Sequence, residues 1–113
     1  MYRLSTCLLA GAVAVSMAMP SRAQTQQEIR EMVAGLYIVS IAIDACDLDL
    51  TKEQEQRLDY WTEWGEKKLN IADRKLDKAY ASLEEAVEKD KAAFCKEMSP
   101  IAKKALQDLP PAN

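Results

Sequence analysis

An all-α fold, a small three-helix bundle with a short fourth helix and one disulfide, is what this sequence predicts, and three observations carry it. From Ile29 to Cys46 apolar residues recur at steps of three and four (Ile29, Met32, Leu36, Val39, Ile43, Cys46), drawing one stripe along a helix. Between Leu58 and Met98, eight apolar residues share an arc of about 60° when the chain is wound at ~100° per residue. Cys46 and Cys95 bracket that second run, so a bond between them requires the chain to double back.

Residues 1–23 read as a secretory leader. Met1-Tyr2-Arg3 is a short basic start, and Leu4 to Met19 is apolar apart from Ser5, Thr6 and Ser16. Pro20 breaks the run, and Ser21-Arg22-Ala23 offers a small-x-small cleavage site before Gln24. Cys7 precedes the apolar run, where a lipid-attachment cysteine would follow it. An uncleaved membrane anchor is the competing reading. Cleavage leaves 24–113 as a single α-helical domain, expected in a periplasm or, alternatively, secreted, with no stable membrane insertion.

The 15 basic residues less Arg3 and Arg22 leave 13 against 18 acidic ones, a net charge of −5. Such a surface repels nucleic acid and anionic lipid, so neither is an expected partner. An even cysteine count in a small exported chain favours a disulfide over free thiols. A closed loop of this size contributes about 4 kcal/mol in the chain-entropy account.

Gln24 to Ala45 predicts a helix buried on more than one side, because Val33, Tyr37, Ile38, Ile41 and Ala42 add to its stripe. The density of Ile and Val also admits a buried strand, but the length of the run favours a helix. The junction Ile41-Ala-Ile-Asp-Ala-Cys-Asp-Leu-Asp-Leu-Thr-Lys-Glu-Gln54 then holds three aspartates and a cysteine. Counted from Asp47 it fails as a calcium loop, since Thr51, Lys52 and Leu58 occupy the places that call for an acid or asparagine, a glycine and a glutamate. Asp47 and Asp49 are expected to favour the positive end of the next helix. Thr51 caps that helix, with Gln54 reaching back to complete a capping box.

Whether Lys52 to Met98 is one helix or two turns on the cysteines. A straight helix from 52 to 95 would run ~65 Å, whereas Cys46 reaches at most ~22 Å from Lys52 and a disulfide needs Cα atoms within ~7 Å. The chain must therefore fold back near the middle. Asn70, with helix-capping chemistry and Asp73 three residues on, is the first candidate hinge, and Gly65 is the second. Ser99-Pro100 predicts a restart into a short last helix with Ile101, Ala105 and Leu106 on one edge, stopped by Pro110-Pro111.

Chemistry is hard to build from this inventory. The chain has no histidine, so a serine or cysteine nucleophile lacks its usual base and a zinc site lacks ligands. Gly35 and Gly65 are the only glycines past the leader, which excludes a phosphate-cradling loop. Glu84, Glu85 and Glu88 read as a solvated helix face. No catalytic residues, metal ligands or cofactors are expected, and an enzyme is not expected. The aromatic cluster Tyr60-Trp61-Thr62-Glu63-Trp64 stands out. Trp61 lies at the edge of the apolar arc, while Tyr60 and Trp64 point away from it. These two either pack against the last helix or form a partner-binding surface.

Leu50-Thr51-Lys52-Glu53-Gln54 resembles the LTxxQ motif of the Spy/CpxP family of periplasmic helical stress proteins. That resemblance implies ATP-independent binding of unfolded clients on the surface of a helical dimer. The motif occurs once here, where those proteins commonly carry two, and the disulfide and acidic balance depart from Spy. The size of the chain and the separation of Cys46 and Cys95 are also similar to the HdeA-type acid chaperones. Protonating all 18 carboxylates would leave about +13, which favours opening below about pH 4. The functional expectation is non-catalytic binding of a protein partner or unfolded client, as a holdase-like chaperone or adaptor. The alternative is a structural accessory subunit of a cell-envelope complex.

Overall fold

A computed structural model describes residues 25–112; the leader assigned to 1–23 lies outside the described residues. Among the described residues four helices follow one another: α1 (Gln26–Ala45), α2 (Lys52–Leu69), α3 (Asp73–Lys89) and α4 (Lys91–Asp108). No strand occurs among the described residues, so the Ile- and Val-rich run is helical. A disulfide joins Cys46 to Cys95, with Cα atoms 5.4 Å apart.

The first helix is the centre of the bundle. Thr25 accepts from the Glu28 amide while the Glu28 carboxylate accepts from the Thr25 amide, a complete capping box. The predicted stripe is buried at Ile29, Met32, Leu36 and Val39, and Val33, Tyr37, Ile41 and Ala42 are buried beside it. The helix packs chiefly against α2 and α4 and only sparsely against α3. Ala42 on α1 and Ala102 on α4 are both fully enclosed, as small side chains are where backbones approach closely.

The aspartate-rich junction ends one helix and starts the next. Asp47 adopts φ 53°, in the left-handed region. The Leu48 amide donates back to the Ile43 carbonyl at 3.0 Å, closing a Schellman-type stop. Leu48 and Ile43 both pack against the core, the apolar contact that accompanies this stop. Asp47 therefore also terminates α1, because a short polar side chain tolerates the left-handed conformation. Thr51 caps α2, and Gln54 completes the box as expected.

The fold-back falls at Asn70, by a different device from the one expected. Asn70 is left-handed (φ 53°, ψ 43°) and closes the end of α2. The start of α3 has Ala72 at its cap, with no side-chain hydrogen bond. Gly65 is not a hinge. It is buried inside α2 against α1, where an added Cβ would overlap Val33 Cγ2 and lie 3.1 Å from Met32 Cε.

The last helix begins earlier than Ser99-Pro100. The break falls at Asp90 (φ −149°, ψ 61°), and Pro100 sits inside α4. An interior proline forfeits one backbone hydrogen bond and costs about 3 kcal/mol in an isolated helix. Here both halves of α4 are held from outside the helix, by the Cys95 bridge before Pro100 and by buried Ala102 and Leu106 after it. Tertiary attachment thus overrides the local stop signal.

Candidate functional site

The apolar stripe of α3 comprises Leu76, Tyr80, Leu83 and Val87, and Leu76 is the one buried residue of that helix. Tyr80 meets Tyr37 edge to face, with ring centroids 5.2 Å apart and planes at 75°. Tyr80 and Leu83 are half-buried and pack against the core, and Val87, one turn further on, is half-buried at the outer end of the stripe. Leu83 and Val87 form one wall of an open groove of about 460 Å³. Phe94 and Met98 of α4 form the other wall, and Ile38 of α1 also lines it. Its two charged lining residues, Asp90 and Glu97, are both acidic. Ile101, one turn beyond Met98 on α4, is 53% exposed and extends the apolar surface.

Tyr37 anchors the inner end of α3. Its hydroxyl donates to the Glu66 carboxylate on α2, so one side chain links three helices. Burial, with the Glu66 hydrogen bond and charge behind it, pushes the Tyr37 hydroxyl well above the usual phenol range. Burial also raises Tyr80, with the charges of Glu84 and Asp44 acting in the same direction.

The aromatic cluster on α2 lies against the segment that follows α4. Trp61 is its hub: it meets Tyr60 at 5.0 Å and Trp64 at 5.6 Å, both edge to face. The Trp61 indole N–H donates to the Pro110 carbonyl at 2.9 Å, and the Arg57 guanidinium donates to the Leu109 carbonyl at 3.1 Å. Trp61 and Trp64 pack against the core, Tyr60 is half-buried, and the Lys68 ammonium sits 5.6 Å from the Trp64 ring centre. Tyr60 and Trp64 thus meet through Trp61. Sequence reasoning missed Arg57 and the Leu109 carbonyl it reads. The available signal was the spacing 57, 61, 64, 68, which places four such side chains on one helical face.

Among the described residues no three metal-capable side chains converge. No buried side-chain nitrogen or oxygen lacks a hydrogen-bond partner there, and no helix is long and apolar enough to cross a membrane. Glu84, Glu85 and Glu88 are exposed along α3. No protein family, curated protein or solved structure matches the chain.

Proposed function

We propose that this chain is an exported, non-catalytic protein-binding factor of the cell envelope, holdase-like or an adaptor, and that the α3–α4 groove takes apolar segments of unfolded client chains. The observation that carries this reading is the half-open stripe. Leu83, Val87, Phe94 and Met98 form adjoining walls that are apolar yet incompletely covered. Apolar surface left accessible at a groove is the feature that binds partly folded chains. Asp90 and Glu97 favour client segments carrying lysine or arginine beside their apolar residues. A disulfide fits an oxidising compartment, which supports an envelope location. The LTxxQ resemblance at Leu50 to Gln54 points the same way.

The test is suppression of aggregation of a chemically denatured client by the purified chain at neutral pH, with Val87→Asp as the groove variant. Wild type is expected to suppress aggregation at near-stoichiometric ratios and Val87→Asp to lose most of that effect while retaining its helical spectrum. Failure of wild type to suppress aggregation, together with co-purification of one fixed partner from the native envelope, would favour the accessory subunit instead. Repeating the assay at pH 3 with an apolar dye tests acid opening. A chain that stays closed and inactive there removes the acid-chaperone branch.

A further inference from the structure

The segment after α4 is held against α2 by two side-chain donors. Leu109 has φ −60° and ψ 128°, near the polyproline II conformation, and Pro110 and Pro111 follow it. A polyproline II strand makes no internal hydrogen bonds, so its carbonyls remain free acceptors, and its prolines offer no N–H. A surface suited to it therefore presents donors at the strand's carbonyl spacing, set among aromatic rings. The face of α2 does this: Arg57 and Trp61, one turn apart, donate to two successive carbonyls. Indole and guanidinium nitrogens are donors only, matched to a strand that supplies acceptors. Tyr60 and Trp64 flank the Trp61 ring, and Glu53 lies 3.5 Å from the Arg57 guanidinium.

We propose that this face of α2 is a docking site for extended proline-containing segments of partner proteins, occupied in this structure by the chain's own Leu109-Pro110. Both hydrogen bonds read backbone, so the site does not require this particular sequence. The occupant needs an apolar residue at the Leu109 position, since Leu109 packs against the core, and an extended backbone held by the prolines after it. The chain's own segment competes at the high effective concentration of a tethered ligand. A partner segment binds appreciably only once the internal one is loosened. This inference is independent of the groove and survives if client binding there fails.

The probe is a synthetic Ala-Leu-Pro-Pro-Ala peptide, compared with Ala-Leu-Gly-Gly-Ala, each titrated into the full chain while tryptophan emission is followed. Two variants loosen the internal segment: Leu109→Asp, and the double change Pro110→Gly with Pro111→Gly, which leaves the core untouched. The loosened chains are expected to bind the proline peptide at least tenfold more tightly than wild type does. They should bind the glycine peptide at least tenfold more weakly than the proline one, and Trp61→Phe in a loosened chain should abolish the difference. Equal binding of the two peptides, or no response to either in a loosened chain of native helicity, overturns the proposal. Loss of helicity in both loosened variants would mark the segment as a structural strap and overturn it as well.

Discussion

Helices α1 and α3 are close in length, and each carries an apolar stripe at helical spacing, yet they end in opposite environments. Nine residues of α1 are buried, but only Leu76 of α3 is. The difference lies in how far round the cylinder the apolar residues extend. Those of α1 cover several sides, so it can accept α2, α3 and α4 at once. The stripe of α3 is narrow, and its neighbours meet only part of it. The helix is tethered by the Asn70 turn at one end and the Asp90 break at the other. Between them Leu76 is buried and Tyr80 and Leu83 are half-buried against the core, while Leu83 and Val87 also line the groove. A stripe therefore predicts that a helix has an apolar face, not how well that face is covered.

The most disruptive way to break this contrast is to remove the bridge. Cys95 sits early in α4, just after the outer end of α3, and Cys46 fixes that end to α1. Cys46→Ser with Cys95→Ser should cost about 4 kcal/mol for a loop of this length, read as a shift in the urea midpoint. Amide exchange should rise most in α3, the helix with the fewest buried residues. Equal protection of α1 and α3 after the change would show that the bridge does not hold α3.

A matched pair of deletions sharpens the comparison. Leu36→Ala in α1 should cost about 2–5 kcal/mol, as large-to-small core changes do, whereas Leu83→Ala in α3 should cost about 1 kcal/mol or less because Leu83 is only half-buried. Chemical denaturation of the two variants checks the ratio. Similar losses would mean that the outer half of α3 is as firmly covered as α1.

Gly65→Ala probes the tight side of the bundle. The new Cβ would meet Val33, itself buried, so overpacking of about 1–3 kcal/mol opposes the ~1 kcal/mol that alanine gains in a helix. A small net loss of stability is expected, on the order of 1 kcal/mol by that difference. A gain in thermal midpoint would show that α1 and α2 can separate slightly at no cost.

The smallest effect tests the joint between the two regions. Tyr37→Phe removes the hydrogen bond to Glu66 and should cost about 1 kcal/mol near neutrality. The wild-type tyrosines also set an alkaline dependence. Tyr37 and Tyr80 hold their protons more tightly in the folded chain, so above pH 10 the unfolded state binds fewer protons than the native one. Stability then falls as pH rises past that point, and is fully present below it. Tyr37→Phe should make the decline shallower, with Tyr80 supplying what remains. Urea midpoints at pH 8 and pH 11 decide, and an unchanged slope in the variant would remove Tyr37 from the effect.

What the sequence determined by itself was whatever depends on nearest neighbours and on spacing along one helix. Helical content, the Thr51–Gln54 capping box and the stripes of α1 and α3 all follow from steps of three and four. The fold-back followed from chain length, because an unbroken helix would have put Cys95 out of reach of Cys46. What depends on partners distant in sequence was not legible. Proline signals a helix start, but at Pro100 the bridge at Cys95 and the buried Ala102 and Leu106 hold the helix through it. Glycine signals a hinge, but at Gly65 its missing side chain makes room for Val33. Tyr60 and Trp64 were visible as an aromatic cluster, but not the Leu109 and Pro110 carbonyls beside it, which lie about fifty residues away in the chain. Only the tertiary structure decides such cases, because the free energy of packing one element on another is comparable to, and often larger than, the local preference it overrides.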